Sequence, residues 1–296
     1  MGKLLDDDGH PTYEGHFSSG KKNGEGKAYA MGYLSYYGQF KNELQNGCGV
    51  SFYCNGKKSY EGEFKNNRRD GEGKEYDESG DLVYDGNWKN MRYEGWGISY
   101  KKNLKVYEGN WKLGYKQGPG TSFYNNEIKA YSGQWDFGNK SGNGKSFFEN
   151  GVIKYDGNWK NNLHSEDGVL YSETGIVAYS GNWSYGKKND YGTLYHENGN
   201  IKYSGDFVED KREGEGTEYD KDGKITTKGL WKDDRVNGTV IQYYADGTIE
   251  FTGFMKNNMF FGKGVYYFDN GITYAGEFEN SNFNGYGKKT RFVIQP

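Results

Sequence analysis

The chain has 296 residues, among them 48 Gly, 29 Tyr, 17 Phe and 7 Trp but only 3 Pro. A mean hydropathy of −1.06 would suit a disordered chain, but 18% aromatic content does not, so the rings must be packed or stacked. With 38 Lys+Arg against 41 Asp+Glu the net charge is −3, which argues against a globally basic nucleic-acid binder.

The N-terminal stretch from Met1 to His10 has no apolar signal core, and no later run approaches the roughly 18 apolar residues of a membrane helix. The chain therefore reads as soluble and cytoplasmic. Gly2 after Met1 invites a myristoylation reading, but that motif needs Ser or Thr where Asp6 stands. Residues 2–9 instead align without gaps on residues 73–80, so the chain starts halfway through a repeat.

From there a unit Tyr-x-Gly-x-Phe/Trp returns every 23 or 24 residues. It starts at Tyr13, Tyr36, Tyr60, Tyr84, Tyr107, Tyr131, Tyr155, Tyr179 and Tyr203, in degenerate form at Thr227 and Phe251, and last at Tyr274. Nine residues after the central Gly there is usually a Gly-x-Gly, as at Gly71/Gly73 and Gly118/Gly120, and fourteen after it an aromatic residue. A fixed period of this size marks a repeat array. The array takes in residues 1–296: a half-repeat strand at 1–12, twelve repeats over 13–290 and a C-terminal end at 291–296.

Each unit alternates polar and apolar residues, which predicts two strands and no helix. Short turns such as Glu197-Asn198-Gly199 and Asp269-Asn270-Gly271 read as three-residue hairpin loops with Gly in the left-handed position. The aromatic before such a loop should pair with the apolar residue after it, as Phe147 with Ile153, which would place Tyr, Trp/Phe and the second-strand aromatic on one face. The other link reads as a six-residue polar loop, for example Lys65 to Asp70. Pro119 falls inside a second strand and predicts a bulge there. The expected fold is all-β: an elongated, twisted, single-layer antiparallel sheet of about twelve hairpins, solenoid-like, with a curved aromatic-lined groove. Stacked rings between neighbouring units would supply its stability.

Units such as YEGEFKNNRRDGEGKEY at Tyr60 to Tyr76 and YSGDFVEDKREGEGTEY at Tyr203 to Tyr219 resemble the MORN (membrane occupation and recognition nexus) repeat. The departures are Glu166 and Asp190, where the first Gly of Gly-x-Gly should stand, and the weak units at Thr227 and Phe251. The resemblance implies a non-enzymatic scaffold that holds a partner segment within a larger cytoskeletal or ciliary (axonemal) assembly, radial-spoke head subunits being one analogy. It also implies an alternative, a peripheral tether on membrane or phosphoinositide.

The residues themselves offer little chemistry. His10, His16, His164 and His196 are scattered with no recurring ligand spacing, and Cys48 and Cys54 are too few for a zinc site or a disulfide framework, so no metal and no cofactor is expected. A Gly-x-Gly that opens no helix is no phosphate cradle. The rings assigned to a partner groove are Tyr60, Tyr84, Trp88, Tyr107, Trp111, Tyr131, Trp135, Tyr155, Trp159, Tyr179 and Trp183. The loops after Phe/Trp carry 19 Lys+Arg against 10 Asp+Glu, most of the excess in the first five units. Lys65, Arg68, Arg69, Lys89, Arg92, Lys112 and Lys116 form a candidate edge for an anionic partner. A second copy paired through a terminal sheet edge is a further expected partner; nucleic acid is not.

Overall fold

The computed structural model describes residues 1–291, so residues 292–296 of the expected C-terminal end lie outside the described part. All regular structure among the described residues is β-strand, 25 strands in all. They fall into two compact units, residues 1–151 and 152–296. The first holds thirteen strands, from Gly2–Leu5 to Asn139–Phe147, and the second twelve, from Ile153–Lys160 to Asn282–Arg291. Within each unit every strand pairs antiparallel with its neighbour in sequence, as Lys58–Lys65 does with Arg68–Tyr76.

One register recurs throughout. The central Gly of a first strand faces the second Gly of Gly-x-Gly on both sides, so Gly49, Gly62, Gly73 and Gly86 stand side by side, and Val240 takes that second Gly's place between Gly229 and Gly253. A ring covers such a pair, a tyrosine in most repeats and Phe251 at Gly253 and Gly264: Tyr60 is fully buried, and a β-carbon on Gly73 would collide with its ring. The Tyr60 hydroxyl donates to the Glu63 carbonyl at 3.0 Å, so the buried phenol is satisfied. Trp88 then inserts edge-on between two tyrosines, 5.3 Å from Tyr60 and 5.4 Å from Tyr84, and its indole N–H reaches the Gly73 carbonyl at 3.1 Å. Trp111, Trp135, Trp183 and Trp231 repeat that bond to Gly97, Gly120, Gly168 and Gly216. The core is this single layer of alternating rings on one face of the strands.

Two features differ from the sequence expectation. The six-residue loop is a two-residue turn: Asn66 and Asn67 have φ of 50° and 64°, and Lys65 already pairs with Arg68. Both central residues with positive φ make a type I′ turn, whose twist matches that of the strands. The second turn residue donates its amide to the preceding repeat, as Asn67 does to the Gln45 carbonyl at 3.0 Å. The three-residue loops are as expected, with Gly199 at φ 87° and Gly199 N–H donating to the His196 carbonyl.

The second difference concerns faces. Ser122 stands opposite Tyr131, but Phe123 stands opposite Lys129, which leaves Ala130 as an extra residue. Direct partners share a face and successive residues alternate, so Phe123 lies on the face opposite the Tyr131 ring. Tyr29 does the same, its hydroxyl reaching the Glu14 carboxylate at 2.9 Å on the side away from Tyr13. The second-strand aromatics thus do not join the core rings. The pairing of aromatic with post-loop residue itself holds, as in Tyr171 with Val177 and Tyr195 with Ile201.

The bulge expected at Pro119 is present, but every repeat has one there. The first Gly of Gly-x-Gly carries positive φ, 66° at Gly118 and 64° at Gly214, and register slips beside it. Where that Gly is missing, Glu166 and Asp190 adopt the same left-handed backbone, at φ 53° and 56°.

Candidate interaction surface

The rings assigned to a groove form the core. Tyr60, Tyr84, Tyr107, Tyr131, Tyr155 and Tyr179 are 0% exposed, and Trp88, Trp111, Trp135, Trp159 and Trp183 between 5 and 8%. Burial pushes the Tyr131 phenol up to about 12 and raises its counterparts further, so all are neutral at physiological pH. Their surface is spent on one another and on the glycines beneath them.

The candidate basic edge divides in two. Lys65, Arg68, Lys89, Arg92 and Lys112 are exposed at the type I′ turns. Arg69 and Lys116 stand one residue further on, opposite the buried Phe/Trp, and turn onto the rings. The Arg69 guanidinium sits 4.7 Å from the Tyr60 centroid and 4.9 Å from Trp88, and also binds Glu75 at 2.6 Å. Lys116 lies 4.7 Å from both Tyr107 and Trp135, and burial pulls its ammonium below the usual lysine range. These are cation–π lids over the core. In other repeats a flat ring takes the place: Tyr93 stacks on Tyr84 at 3.7 Å and His164 on Tyr155 at 3.7 Å. Sequence reasoning missed this role, although the position, five residues after Phe/Trp, holds either a long cation or an aromatic in most units.

The opposite face carries the half-exposed rings. In the first unit these are Tyr29, Phe52, Tyr76, Tyr100 and Phe123, and in the second Tyr171, Tyr195, Tyr219, Tyr243 and Tyr267. Beside them runs a ladder of directly opposed side chains. In the first unit it is rich in charge: Lys3 meets Glu14 at 2.9 Å and Lys74 meets Asp85 at 3.3 Å across the strands, while Lys105 meets Glu108, three residues on in its own strand, at 2.7 Å and lies 4.4 Å from the Phe123 ring. The corresponding ladder of the second unit is mostly neutral, running Thr193, Ser204, Thr217, Lys228, Ile241, Thr252 and Val265. Next to it Tyr191, Leu230 and Phe254 are 60, 36 and 41% exposed.

No group of three or more His, Cys, Asp or Glu able to hold a metal occurs among the described residues. No helix of the described residues is long and apolar enough to cross a membrane. Both cysteines are free and exposed.

The repeat geometry agrees with the known families. The MORN repeat matches residues 13–32, 36–58, 60–82, 107–127, 155–175, 179–201, 203–225, 251–273 and 274–291, and a MORN repeat variant matches 140–161 and 236–257. The chain belongs to the MORN-repeat family. The weak unit at Thr227 falls in the stretch the main repeat leaves unmatched. No curated protein matches the chain. Among solved structures, the Photorhabdus luminescens Tc holotoxin pore is similar over 95% of this chain and 16% of its own, at 10% identity and a TM-score of 0.18. This MORN-repeat chain thus spans a small part of that protein's length, and the likeness carries no argument.

Proposed function

We propose that the chain is a non-enzymatic interaction subunit that holds a partner segment along the face opposite its ring core, within a larger assembly. The observation that carries this reading is the row of half-exposed second-strand rings, of which Phe123 with Lys105 at 4.4 Å is one member. Aromatic residues bring large contact area at low entropic cost and dominate interface energetics. These rings, unlike the core tyrosines, are not consumed by packing. Membership of a repeat family used for protein interaction or membrane association supports the same reading. Changing Tyr76, Tyr100 and Phe123 together to Ser should remove the stable partner from a native pulldown while leaving the melting temperature within a few degrees. Retention of the partner by a folded triple variant refutes it. A cytoskeletal or ciliary setting is part of the proposal, and the distribution of the tagged chain tests it.

A second reading is an anionic membrane or phosphoinositide surface met by the turn edge. It is favoured by Lys65, Lys89, Arg92 and Lys112, which are exposed and form no ion pair among the described residues. On the equivalent edge of the second unit two of the lysines are paired instead, Lys187 with Glu209 at 3.4 Å and Lys211 with Asp233 at 2.7 Å. Reversal of Lys65, Arg68 and Arg92 to Glu should abolish sedimentation with phosphatidylserine vesicles; wild-type protein that never sediments ends this reading.

A further inference from the structure

Type I′ turns need positive φ at both central residues, which Asn, Asp and Gly tolerate and bulky apolar residues resist. In the first unit Ser19, Asn42, Asn66 and Asn90 open such turns, but Leu113 and Phe137 open the next two, at φ 53° and 42°. Neither side chain is used by the fold: they are 50 and 63% exposed. Met91, in another of these turns, has a structural reason, because its sulfur accepts the Arg69 amide at 3.2 Å. Leu113 and Phe137 have none. Tyr115 extends the patch, 53% exposed with its ring 6.0 Å from Phe137. Lys89, Arg92 and Lys112 border it, all exposed and without ion pairs among the described residues.

The opposite turn edge of the same unit bears the complement. Met31 opens a turn at φ 50° and is 97% exposed, and Leu4 and Leu5 are 41 and 54% exposed. Between these residues in the chain lie Asp6, Asp7 and Asp8; Asp6 is engaged by His10 at 3.6 Å, while Asp7 and Asp8 are exposed and have no ion pair among the described residues. The Leu113/Tyr115/Phe137 patch is therefore apolar and cationic, the Leu4–Asp8 and Met31 patch apolar and anionic.

We propose that the Leu113/Tyr115/Phe137 edge docks the Leu4–Asp8 and Met31 edge of a second copy of this chain. The two patches lie on opposite edges, so the contact is heterologous and each copy keeps one free patch at either end, which builds open chains or rings and not only dimers. The charges on the two sides are opposite in sign: Lys89, Arg92 and Lys112 meet Asp7 and Asp8. A lipid surface fits less well, because the most exposed ring of the patch, Phe137, is flanked by the Asp136 carboxylate, which an anionic bilayer repels. The proposal rests on the turn edges and not on the second-strand face, so it stands or falls apart from the partner segment proposed above, and it competes with the membrane reading for Lys89, Arg92 and Lys112.

Sedimentation equilibrium of the full chain, from micromolar to sub-millimolar concentration, is the test. The average mass should climb from that of one 33.7 kDa chain and pass that of two. L113N/F137N should weaken association by about tenfold or more. Its melting temperature should not fall, since Asn suits the turn, which separates lost contact from lost fold. D7K/D8K and K89E/R92E/K112E should each be monomeric alone and associate when mixed. A single-chain mass at every concentration, association that none of these variants changes, or phosphatidylserine-vesicle binding by a monomer that L113N/F137N abolishes would each overturn the proposal, the last by putting a membrane in the second copy's place.

Discussion

The Tyr60 hydroxyl occupies the space that a β-carbon on Gly73 would need. The same relation links Tyr107 to Gly120, Tyr155 to Gly168 and Tyr203 to Gly216. Each glycine is thus a seat for a ring from the adjacent strand, and the repeat couples two residues thirteen apart through sterics.

Gly73→Ala tests that seat, because its β-carbon would fall on the ring of Tyr60, which is fully buried and has nowhere to swing. The substitution should cost about 3 kcal/mol in urea unfolding. Gly199→Ala in a loop with open space around it should cost only about 1 kcal/mol, from its left-handed backbone alone. Equal costs at both sites contradict the seat.

The raised phenol pKa values give a pH dependence of definite sign. Burial lifts the folded-state pKa of Tyr36, Tyr60, Tyr84, Tyr107, Tyr131, Tyr155, Tyr179 and Tyr203 above the value of about 10 they have when unfolded. Above that pH the unfolded chain releases protons that the folded chain retains, so stability is intact below about pH 10 and falls as pH rises toward the folded values. Circular dichroism should show cooperative unfolding together with, and not after, the rise of tyrosinate absorbance.

Glu166 and Asp190 hold a bulge conformation that Gly holds elsewhere, and both are exposed. Glu166→Gly and Asp190→Gly should each raise stability by about 1 kcal/mol in chemical denaturation, since the strain of the left-handed backbone is relieved. A loss at either site would mean that its side chain makes an unrecognised stabilising contact.

Arg212 caps the core of its repeat, 4.0 Å from the Trp231 centroid and bound to Glu218 at 2.8 Å. Arg212→Ala should cost about 1–2 kcal/mol and shift Trp231 fluorescence to longer wavelength as water reaches the indole. Arg212→Lys should recover part of the loss.

The period, the strands and the three-residue loops were legible because Tyr, Gly and Trp recur at fixed spacing. The face of the second-strand rings was not, because the extra residue at Ala130 or Ala178 breaks strict alternation and nothing in those alanines announces a bulge. The type I′ turns were readable in Asn66-Asn67 and Leu113-Gly114, but the polar residues around them, strand residues in fact, made the link look longer. The lids escaped for a physical reason: a long cation reads as solvated until the ring beneath it is placed, and Arg69 and Lys116 carry the same letters as their exposed neighbours Arg68 and Lys112.

Hydroxyl-radical footprinting of tyrosine, on the free chain and on the chain in its native complex, tests most directly which rings are core and which are surface. In the free chain Tyr60, Tyr84, Tyr107, Tyr155 and Tyr179 should be protected while Tyr76, Tyr100, Tyr171 and Tyr219 are oxidised, and in the complex the second set should become protected as well. Oxidation of the first set in the folded free chain, or a second set that stays equally reactive in the complex, would contradict the account.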